Sequence, residues 1–159
     1  ASMPHRFMGI NQSGQVCLLQ TQGNPNGHVI LRGGKRPNYS AEDITECEAQ
    51  MKKAGLTPSL MVDCSHGNSD KDFRRQPLVV DAVAEQICAG NTSITGIMLE
   101  SHINEGNQSS EQPRSAMQYG VSVTDACISW ETTEAVLRQL HQQISPALAE
   151  RVVQLQQAG

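Results

Sequence analysis

Apolar and polar residues alternate in blocks along the chain, and these blocks predict strands and helices in turn. Residues 6–11 and 16–21 favour two short strands that form a hairpin, with Gly14 in its turn. Further strands are predicted in the apolar segments 28–34, 59–66, 93–102 and 121–130. The middle segments are nearly continuously apolar, which is typical of parallel strands that are buried on both faces.

The first predicted helix follows the strand at 28–34. Ser40, with Asp43 three residues later, forms a capping pattern that favours a helix start. The apolar residues that come next fall on one helical face: Ile44, Cys47, Met51 and Ala54. Gly55 is expected to end this helix, because glycine readily adopts the left-handed conformation found after many helix C-termini.

Two further helical regions are predicted. One begins near Ser69, is interrupted or restarted at Pro77, and ends at Gly90. The other covers residues 131–144, and Pro146 is expected to break it because proline lacks a backbone N–H. The residues after this proline could form one more short helix.

The predicted order in the middle of the chain is β-α-β-α-β, without an internal repeat or a low-complexity linker. This alternation predicts an α/β fold with a parallel sheet. The polar segment at 104–119 is too long for a routine connection between two elements. We therefore expect this segment to be a functional loop.

The composition indicates one ordinary soluble domain, since the chain has 159 residues, of which 38% are hydrophobic and 18% charged. The net charge is −4 and only 3% of the residues are aromatic, so we expect no nucleic-acid partner. No apolar stretch reaches the roughly 18 residues that span a bilayer, and the N-terminal residues lack the order of a signal peptide. The sequence therefore predicts a cytoplasmic protein without a membrane partner.

The cysteines argue against a disulfide framework. They are odd in number and include no C-x-x-C pair, which also argues against a zinc knuckle. We expect most of them to be small, reduced core residues: Cys17, Cys47, Cys64, Cys88 and Cys127.

Polar residues stand at or just past the ends of the apolar segments: Arg32, His66, Glu100 and Asp125. Parallel strands place their carboxyl ends at one edge of a sheet, where open α/β sheets and (β/α)8 barrels carry their active sites. An imidazole with two carboxylates suits a divalent metal such as Mn, Fe, Co or Zn. Each residue also has a structural alternative, because His66 could be a hydrogen-bonded residue, Glu100 a helix cap and Asp125 the start of a turn.

Other polar residues near these ends have two interpretations each. Cys64 would share a strand face with His66, so it is either a fourth ligand or a buried small side chain. Arg32 and Lys35, beside two glycines, could bind a phosphate or carboxylate, although such basic residues are common on surfaces. The adjacent Arg74 and Arg75 form either an anion site or the solvated start of a helix, and we favour the second.

Four sequence strings carry a resemblance to a known family: "GHVILRGGKRPNYS", "MVDCSHGNSDKDFRRQP", "MLESHINEGNQSSEQPRS" and "YGVSVTDACISWE". Together they resemble the C-terminal part of 3-deoxy-D-arabino-heptulosonate-7-phosphate synthase, the first enzyme of the shikimate pathway. The similarity runs from about residue 4 to residue 144. Within the family the chain resembles the bacterial tyrosine-sensitive isoenzyme most, through "PHRFMGINQSGQ" and "LLQTQGN".

The resemblance implies a metal-dependent, aldol-type condensation of phosphoenolpyruvate with D-erythrose 4-phosphate, with release of phosphate. Carried over by motif, His66, Glu100 and Asp125 match the metal ligands of the family, and Arg32 matches the arginine that contacts phosphoenolpyruvate. The fourth ligand of the family is a cysteine on the first barrel strand, to which nothing here corresponds. Cys64 is then structural, and Asp63 is a candidate partner that orients His66.

The resemblance also implies a fold: the last three βα units of a (β/α)8 TIM barrel, with an added hairpin at 6–21. A complete barrel needs about 250 residues, so residues 1–159 would be the C-terminal portion of a longer catalytic domain. The chain alone is then expected to be inactive. The parent enzyme is expected to be a homo-oligomer, a dimer or tetramer, with tyrosine as an inhibitor. The hairpin is either part of the inhibitor site and of the subunit contacts, as in the family, or a decoration that covers an edge.

The sequence leaves two alternatives to this function. One is another metal-dependent aldolase-type enzyme on a (β/α)8 barrel, which would share the three metal-binding side chains. The other is a non-catalytic interaction module built from half a barrel, which would be a metal-free monomer.

Overall fold

The computed structural model describes residues 2–157, which form an α/β fold with two small sheets and three α-helices. The strands are β1 (Arg6–Ile10), β2 (Val16–Gln20), β3 (Val29–Leu31), β4 (Leu60–Asp63) and β5 (Ile94–Met98). The helices are α1 (Ala41–Lys53), α2 (Gln76–Cys88) and α3 (Trp130–Gln157). Among the helices in this part of the chain, none combines the length and apolarity that crossing a membrane requires.

Strands β1 and β2 form the predicted antiparallel hairpin. Their register pairs Arg6 with Gln20 at one end and Ile10 with Val16 at the other. The turn is closed by a 3.0 Å hydrogen bond from the N–H of Gly14 to the carbonyl of Asn11. The hairpin prediction is confirmed.

Strands β3, β4 and β5 form a parallel sheet in that order, which confirms the predicted β-α-β-α-β arrangement. The sheet and one face of each helix enclose a single apolar core. It contains Leu31, Ile44, Met51, Leu60, Val62, Cys64, Val79, Val80, Val83, Ile94 and Val136. The parallel order places the C-terminal ends of all three strands at one edge of the sheet.

Helix α1 begins and ends as its sequence predicts. The side chain of Ser40 accepts a hydrogen bond from the N–H of Asp43, which satisfies a free donor of the first turn. Ile44 and Met51 are buried on the inner face. The helix ends before Gly55, whose φ of +72° lies in the left-handed region.

Helix α2 starts later than predicted, at Gln76 instead of near Ser69. Two short 3-10 turns, His66–Ser69 and Phe73–Arg75, occupy the intervening segment. Pro77 lies in the first turn of α2, where a missing N–H costs no intrahelical hydrogen bond. The proline therefore marks the start of the helix and does not interrupt it.

The strand predicted at 121–130 does not form as a regular strand. Its residues make isolated bridges of opposite directions, such as a parallel one between Ser101 and Ile128 and an antiparallel one between Gly106 and Cys127. Because these partners lie in the irregular segment that follows β5, no continuous ladder can develop. The apolar character of the segment predicted burial correctly for Cys127 and Ile128, but Val123 and Trp130 are exposed, and the predicted strand is wrong.

Helix α3 continues through Pro146, so the predicted break is wrong. Contacts on both sides of the proline tie the helix to the rest of the fold. The Cys88 thiol donates to the Gln143 carbonyl over 3.4 Å, and the Arg151 guanidinium donates to the Thr92 carbonyl over 2.5 Å. Packing of both halves outweighs the loss of one backbone hydrogen bond.

Candidate metal and anion site

A cavity of about 430 Å³ opens at the edge formed by the C-terminal ends of β3, β4 and β5. Its charged and titratable lining residues are Arg32, His66, Lys71, Glu100 and Asp125. Arg32 follows β3, His66 follows β4 and Glu100 follows β5, while Asp125 comes from the irregular segment before α3. The parallel sheet thus brings Arg32, His66 and Glu100 together, and the irregular segment before α3 adds Asp125 to the same cavity.

His66, Glu100 and Asp125 lie close enough to share one ion. The Nε2 atom of His66 is 3.4 Å from Oε1 of Glu100 and 3.7 Å from Oδ2 of Asp125. One ligand atom from each of the three residues lies within 4.8 Å of the other two. This is a donor set of one imidazole nitrogen and two carboxylate oxygens, which fits a divalent transition metal.

Burial raises the pKa of the Glu100 carboxyl, and the nearby Asp125 carboxylate acts in the same direction, while His66 opposes it. The side chain of Asp125 is far more exposed, at 71% against 25% for Glu100. Two carboxylates held this close repel each other in the absence of a cation. A bound dication would stabilise both charged forms.

The imidazole of His66 is oriented by its neighbours. Its Nδ1 atom is 2.9 Å from Oδ2 of Asp63 and 2.8 Å from the hydroxyl of Ser65, which also donates to Oδ1 of Asp63 over 2.6 Å. Asp63 is only 2% exposed. Because the carboxylate accepts, Nδ1 carries the proton and Nε2 keeps its lone pair toward the cavity, as a metal ligand requires.

A buried asparagine, Asn68, connects the ends of two strands beside the site. Its amide nitrogen donates to the carbonyls of Leu31 and Asp63 over 2.9 and 2.8 Å. Its amide oxygen accepts from the N–H of Asn38 over 2.8 Å. These bonds hold the 3-10 turn that begins at His66, whose φ of +48° is costly for a residue other than glycine.

Arg32 lines the cavity directly after the end of β3. Its side chain is 60% exposed, and its Nε atom is 4.0 Å from Oδ2 of Asp63. The guanidinium is therefore available to solutes and sits beside the carboxylate that orients His66. A planar guanidinium in this setting suits a phosphate or carboxylate group.

The remaining sequence candidates lie elsewhere. Cys64 is fully buried and does not line the cavity, and burial raises the pKa of its thiol to about 12. Lys35 is also outside the lining. Arg74 and Arg75 lie in the 3-10 turn directly before α2. Arg75 pairs with Asp70, and the guanidinium of Arg74 lies 4.6 Å from the centre of the Phe73 ring.

Sequence reasoning missed three residues of the site: Ser65, Asn68 and Gln76. Ser65 and Asn68 flank His66 in "CSHGNS", so their proximity to a candidate ligand was the available indication. Gln76 is the first residue of α2, and it follows His66 in the string "MVDCSHGNSDKDFRRQP", which gave no indication of a role for it. Only the packing of α2 beside β5 brings its side chain to the cavity.

Comparison with known proteins places this geometry in context. A model of the DAHP synthetase I family matches residues 1–138. The chain is 69% identical over 154 residues to a tyrosine-sensitive phospho-2-dehydro-3-deoxyheptonate aldolase of Enterobacter agglomerans, covering 97% of this chain and 72% of the relative. It is also 69% identical over 152 residues to the tyrosine-sensitive enzyme of Escherichia coli strain K12, covering 96% of this chain but 43% of the relative.

Part of a solved structure is similar to most of this chain. The phospho-2-dehydro-3-deoxyheptonate aldolase of Francisella tularensis SCHU S4 superposes with a TM-score of 0.83 at 41% sequence identity. The matched region covers 91% of this chain and 42% of that one. The chain thus spans less than half the length of the Escherichia coli and Francisella proteins that it matches.

Proposed function

We propose that this chain, which belongs to the DAHP synthetase I family, contributes the metal-binding edge of a larger enzyme. That enzyme condenses phosphoenolpyruvate with D-erythrose 4-phosphate. The products are 3-deoxy-D-arabino-heptulosonate 7-phosphate and phosphate, in the first step of aromatic amino-acid biosynthesis. The single observation that carries the proposal is the convergence of His66, Glu100 and Asp125 at the C-terminal edge of a parallel sheet. The family match supports neither of the two alternatives, which were another aldolase-type enzyme and a non-catalytic half-barrel module.

The fold that we propose for this chain is the last three βα units of a (β/α)8 barrel, with residues 6–21 as an added hairpin. The parallel order of β3, β4 and β5 and the similarity to a solved relative support this assignment. Residues 1–159 are then the C-terminal portion of a longer catalytic domain. In barrels of this type the C-terminal ends of the strands carry the chemistry.

The proposed metal ligands of this chain are His66, Glu100 and Asp125, which would hold Mn, Fe, Co or Zn. Such a metal, when bound, supplies Lewis-acid polarisation of the sugar-phosphate aldehyde. Asp63 keeps the proton of His66 on Nδ1, so that Nε2 stays available at the cavity. Glu100 is partly desolvated, which favours its pairing with a cation over its exposure as a free carboxylate.

Arg32 is the proposed phosphoenolpyruvate-binding residue of this chain. Its exposed guanidinium offers paired N–H donors at the cavity, and these match the geometry of a carboxylate or phosphate. The cavity volume of about 430 Å³ falls within the range of small-molecule sites. Arg32 therefore holds and orients an anionic substrate, while His66 and its partners hold the metal.

Tyrosine is the proposed regulator, since the tyrosine-sensitive enzymes of two bacteria are 69% identical to this chain. The hairpin at 6–21 is the proposed regulatory element and a contact between subunits of a dimer or tetramer. One of its faces carries four exposed apolar residues beside the Arg6–Gln20 pair, which is unusual for a surface that remains in water: Met8, Ile10, Val16 and Leu18.

The substitution His66→Ala in the full-length native protein tests the proposal. We expect the variant to lose bound metal and the release of phosphate from the two substrates. His141→Ala, at an exposed histidine of α3, is the matched control and should retain both. Full metal content and turnover in His66→Ala would contradict the proposal, and residues 1–159 alone are expected to release no phosphate.

A further inference from the structure

We infer that Gln76 is a positioning residue, which holds the backbone of Glu100 so that its carboxylate meets His66 at the cavity. The inference rests on the proposed function, because it concerns the proposed metal site. It adds a residue that lies in the string "MVDCSHGNSDKDFRRQP" but to which the sequence analysis gave no role. Gln76 is the first residue of α2, and it is fully buried.

The contact between the two residues uses both polar groups of the glutamine amide. Nε2 of Gln76 donates to the Glu100 carbonyl over 3.1 Å, and Oε1 of Gln76 accepts from the Glu100 N–H over 2.9 Å. The side chain thus imitates a neighbouring strand and pairs with one residue of backbone. Two hydrogen bonds to the same peptide segment leave it little freedom to rotate.

Glu100 needs such support because it lies beyond the end of the regular sheet. Strand β5 ends at Met98, whose carbonyl accepts from the N–H of Cys64 over 2.9 Å. Past that point, the Glu100 carbonyl also accepts from the N–H of Ile128 over 3.0 Å. Gln76 and Ile128 both form hydrogen bonds to the backbone of Glu100, whose Oε1 atom lies 3.4 Å from Nε2 of His66.

An amide suits this place better than the other long side chains. A glutamate would offer no donor to the Glu100 carbonyl and would add a negative charge beside the carboxylates of Glu100 and Asp125. A methionine would fill a similar volume but would leave the Glu100 N–H without its partner, and the Glu100 carbonyl would keep only the hydrogen bond from Ile128. Glutamine provides a donor and an acceptor while it leaves the charge of the metal site unchanged.

The test compares Gln76→Met with Gln86→Met in the full-length native protein. Gln86 is on the same helix and also donates to backbone carbonyls, those of Tyr39 and Ala82, over 2.8 and 3.2 Å, but it does not line the cavity. The measurement is the dissociation constant of Mn²⁺ in titrations of the metal-free protein. We expect Gln76→Met to weaken binding about 10- to 100-fold, while Gln86→Met binds Mn²⁺ like the native protein.

A double-mutant cycle separates positioning from a general loss of structure. In a Glu100→Ala background, Gln76→Met should cause no further loss of Mn²⁺ affinity, because the residue through which it acts has lost its carboxylate. Gln76→Asn, which keeps the amide on a shorter stem, should weaken binding in the same direction and serves if the methionine variant does not fold.

Unchanged Mn²⁺ affinity in the folded Gln76 variants would overturn the inference and leave the proposed function intact. An equal loss in the Glu100→Ala background would also overturn it. If His66→Ala and the native protein bind Mn²⁺ equally weakly, the proposed metal site itself is wrong and the inference falls with it.

Discussion

The backbone of Gly33 lies directly against that of Gly67, so that a Cβ atom on Gly33 would be 2.5 Å from the carbonyl carbon of Gly67. Gly33 also has a φ of +75°, in the region that favours glycine. Beside this contact, the N–H of Gly67 donates to the carbonyl of Arg32 over 3.1 Å. The close approach joins the loop that carries the proposed substrate arginine to the turn that carries His66.

Gly33→Ala is expected to destabilise the protein by about 1 to 3 kcal/mol, the usual cost of forcing a non-glycine residue into such a conformation. The clash with Gly67 adds to this cost, because backbone atoms cannot move aside easily. Chemical denaturation measures the change in the free energy of unfolding. Gly34→Ala is the control, since a Cβ there meets nothing within 4 Å, and a loss as large as that of Gly33→Ala would contradict the explanation.

Asp63→Asn is expected to weaken metal binding about 10- to 100-fold, which is typical when the partner of a metal-binding histidine is lost. An asparagine can donate to Nδ1 of His66, and this would move the imidazole proton to Nε2, the atom that faces Glu100 and Asp125. Metal titration of the metal-free protein measures the effect. Asp81→Asn, which alters a carboxylate bonded to Gln139 away from the cavity, should leave the affinity unchanged.

Glu48 links stability to acidic pH. The hydroxyl of Ser93 donates to its carboxylate over 2.5 Å and lowers the pKa of Glu48 below its ordinary value of 4.5, and Asn91 donates as well, over 2.8 Å. A carboxyl with a lowered folded-state pKa stabilises the fold fully above its unfolded pKa, and this contribution disappears as pH falls through the folded-state value.

The substitution Glu48→Gln should therefore lower the free energy of unfolding most near neutral pH, and the difference from the native protein should shrink below pH 4.5. Urea denaturation at a series of pH values measures it. Ser93→Ala removes the hydroxyl that lowers the pKa of Glu48. In this variant the free energy of unfolding should therefore change less with pH in the acidic range. A difference that grows toward low pH would show that another group controls the acid sensitivity.

Substitutions in the hairpin test its proposed role in regulation by tyrosine. Met8 and Leu18 are cross-strand partners on one face of the hairpin, and they are 79% and 66% exposed. The double variant Met8→Gln, Leu18→Thr should keep turnover, because neither residue lies near the cavity. It should lose inhibition by tyrosine and dissociate more readily, which steady-state kinetics and native mass measurement would record.

Leu78→Gln is the control for that experiment, since Leu78 is exposed to a similar degree, 61%, but lies on α2. This variant should keep both tyrosine inhibition and the mass of the assembly. Full tyrosine sensitivity and an unchanged mass of the assembly in the hairpin variant would contradict the proposed role of the hairpin in regulation.

Features set by neighbouring residues were predictable from the sequence. The cap formed by Ser40, the end of α1 at Gly55 and the parallel arrangement of β3 to β5 depend on local patterns of a few residues. The meeting of His66 and Glu100 was predictable for a related reason, since residues at the ends of adjacent parallel strands must share an edge.

Other features depended on contacts between distant segments. Pro146 should end a helix when judged by its own chemistry, yet α3 continues because its two halves are held at Gln143 and Arg151. The segment at 121–130 is apolar enough for a strand, but its bridging partners run in opposite directions.

The sequence by itself determined where strands and helices can form and which polar residues follow each strand, because periodicity and strand ends are local properties of the chain. The sequence also offered Asp63 as a partner of His66, three residues away, whereas only the tertiary structure decided that Gln76 pairs with the backbone of Glu100. Hydrogen bonds of this kind depend on ångström-scale distances between separate elements. Those distances are set when the core packs, and no pattern of neighbouring residues contains them.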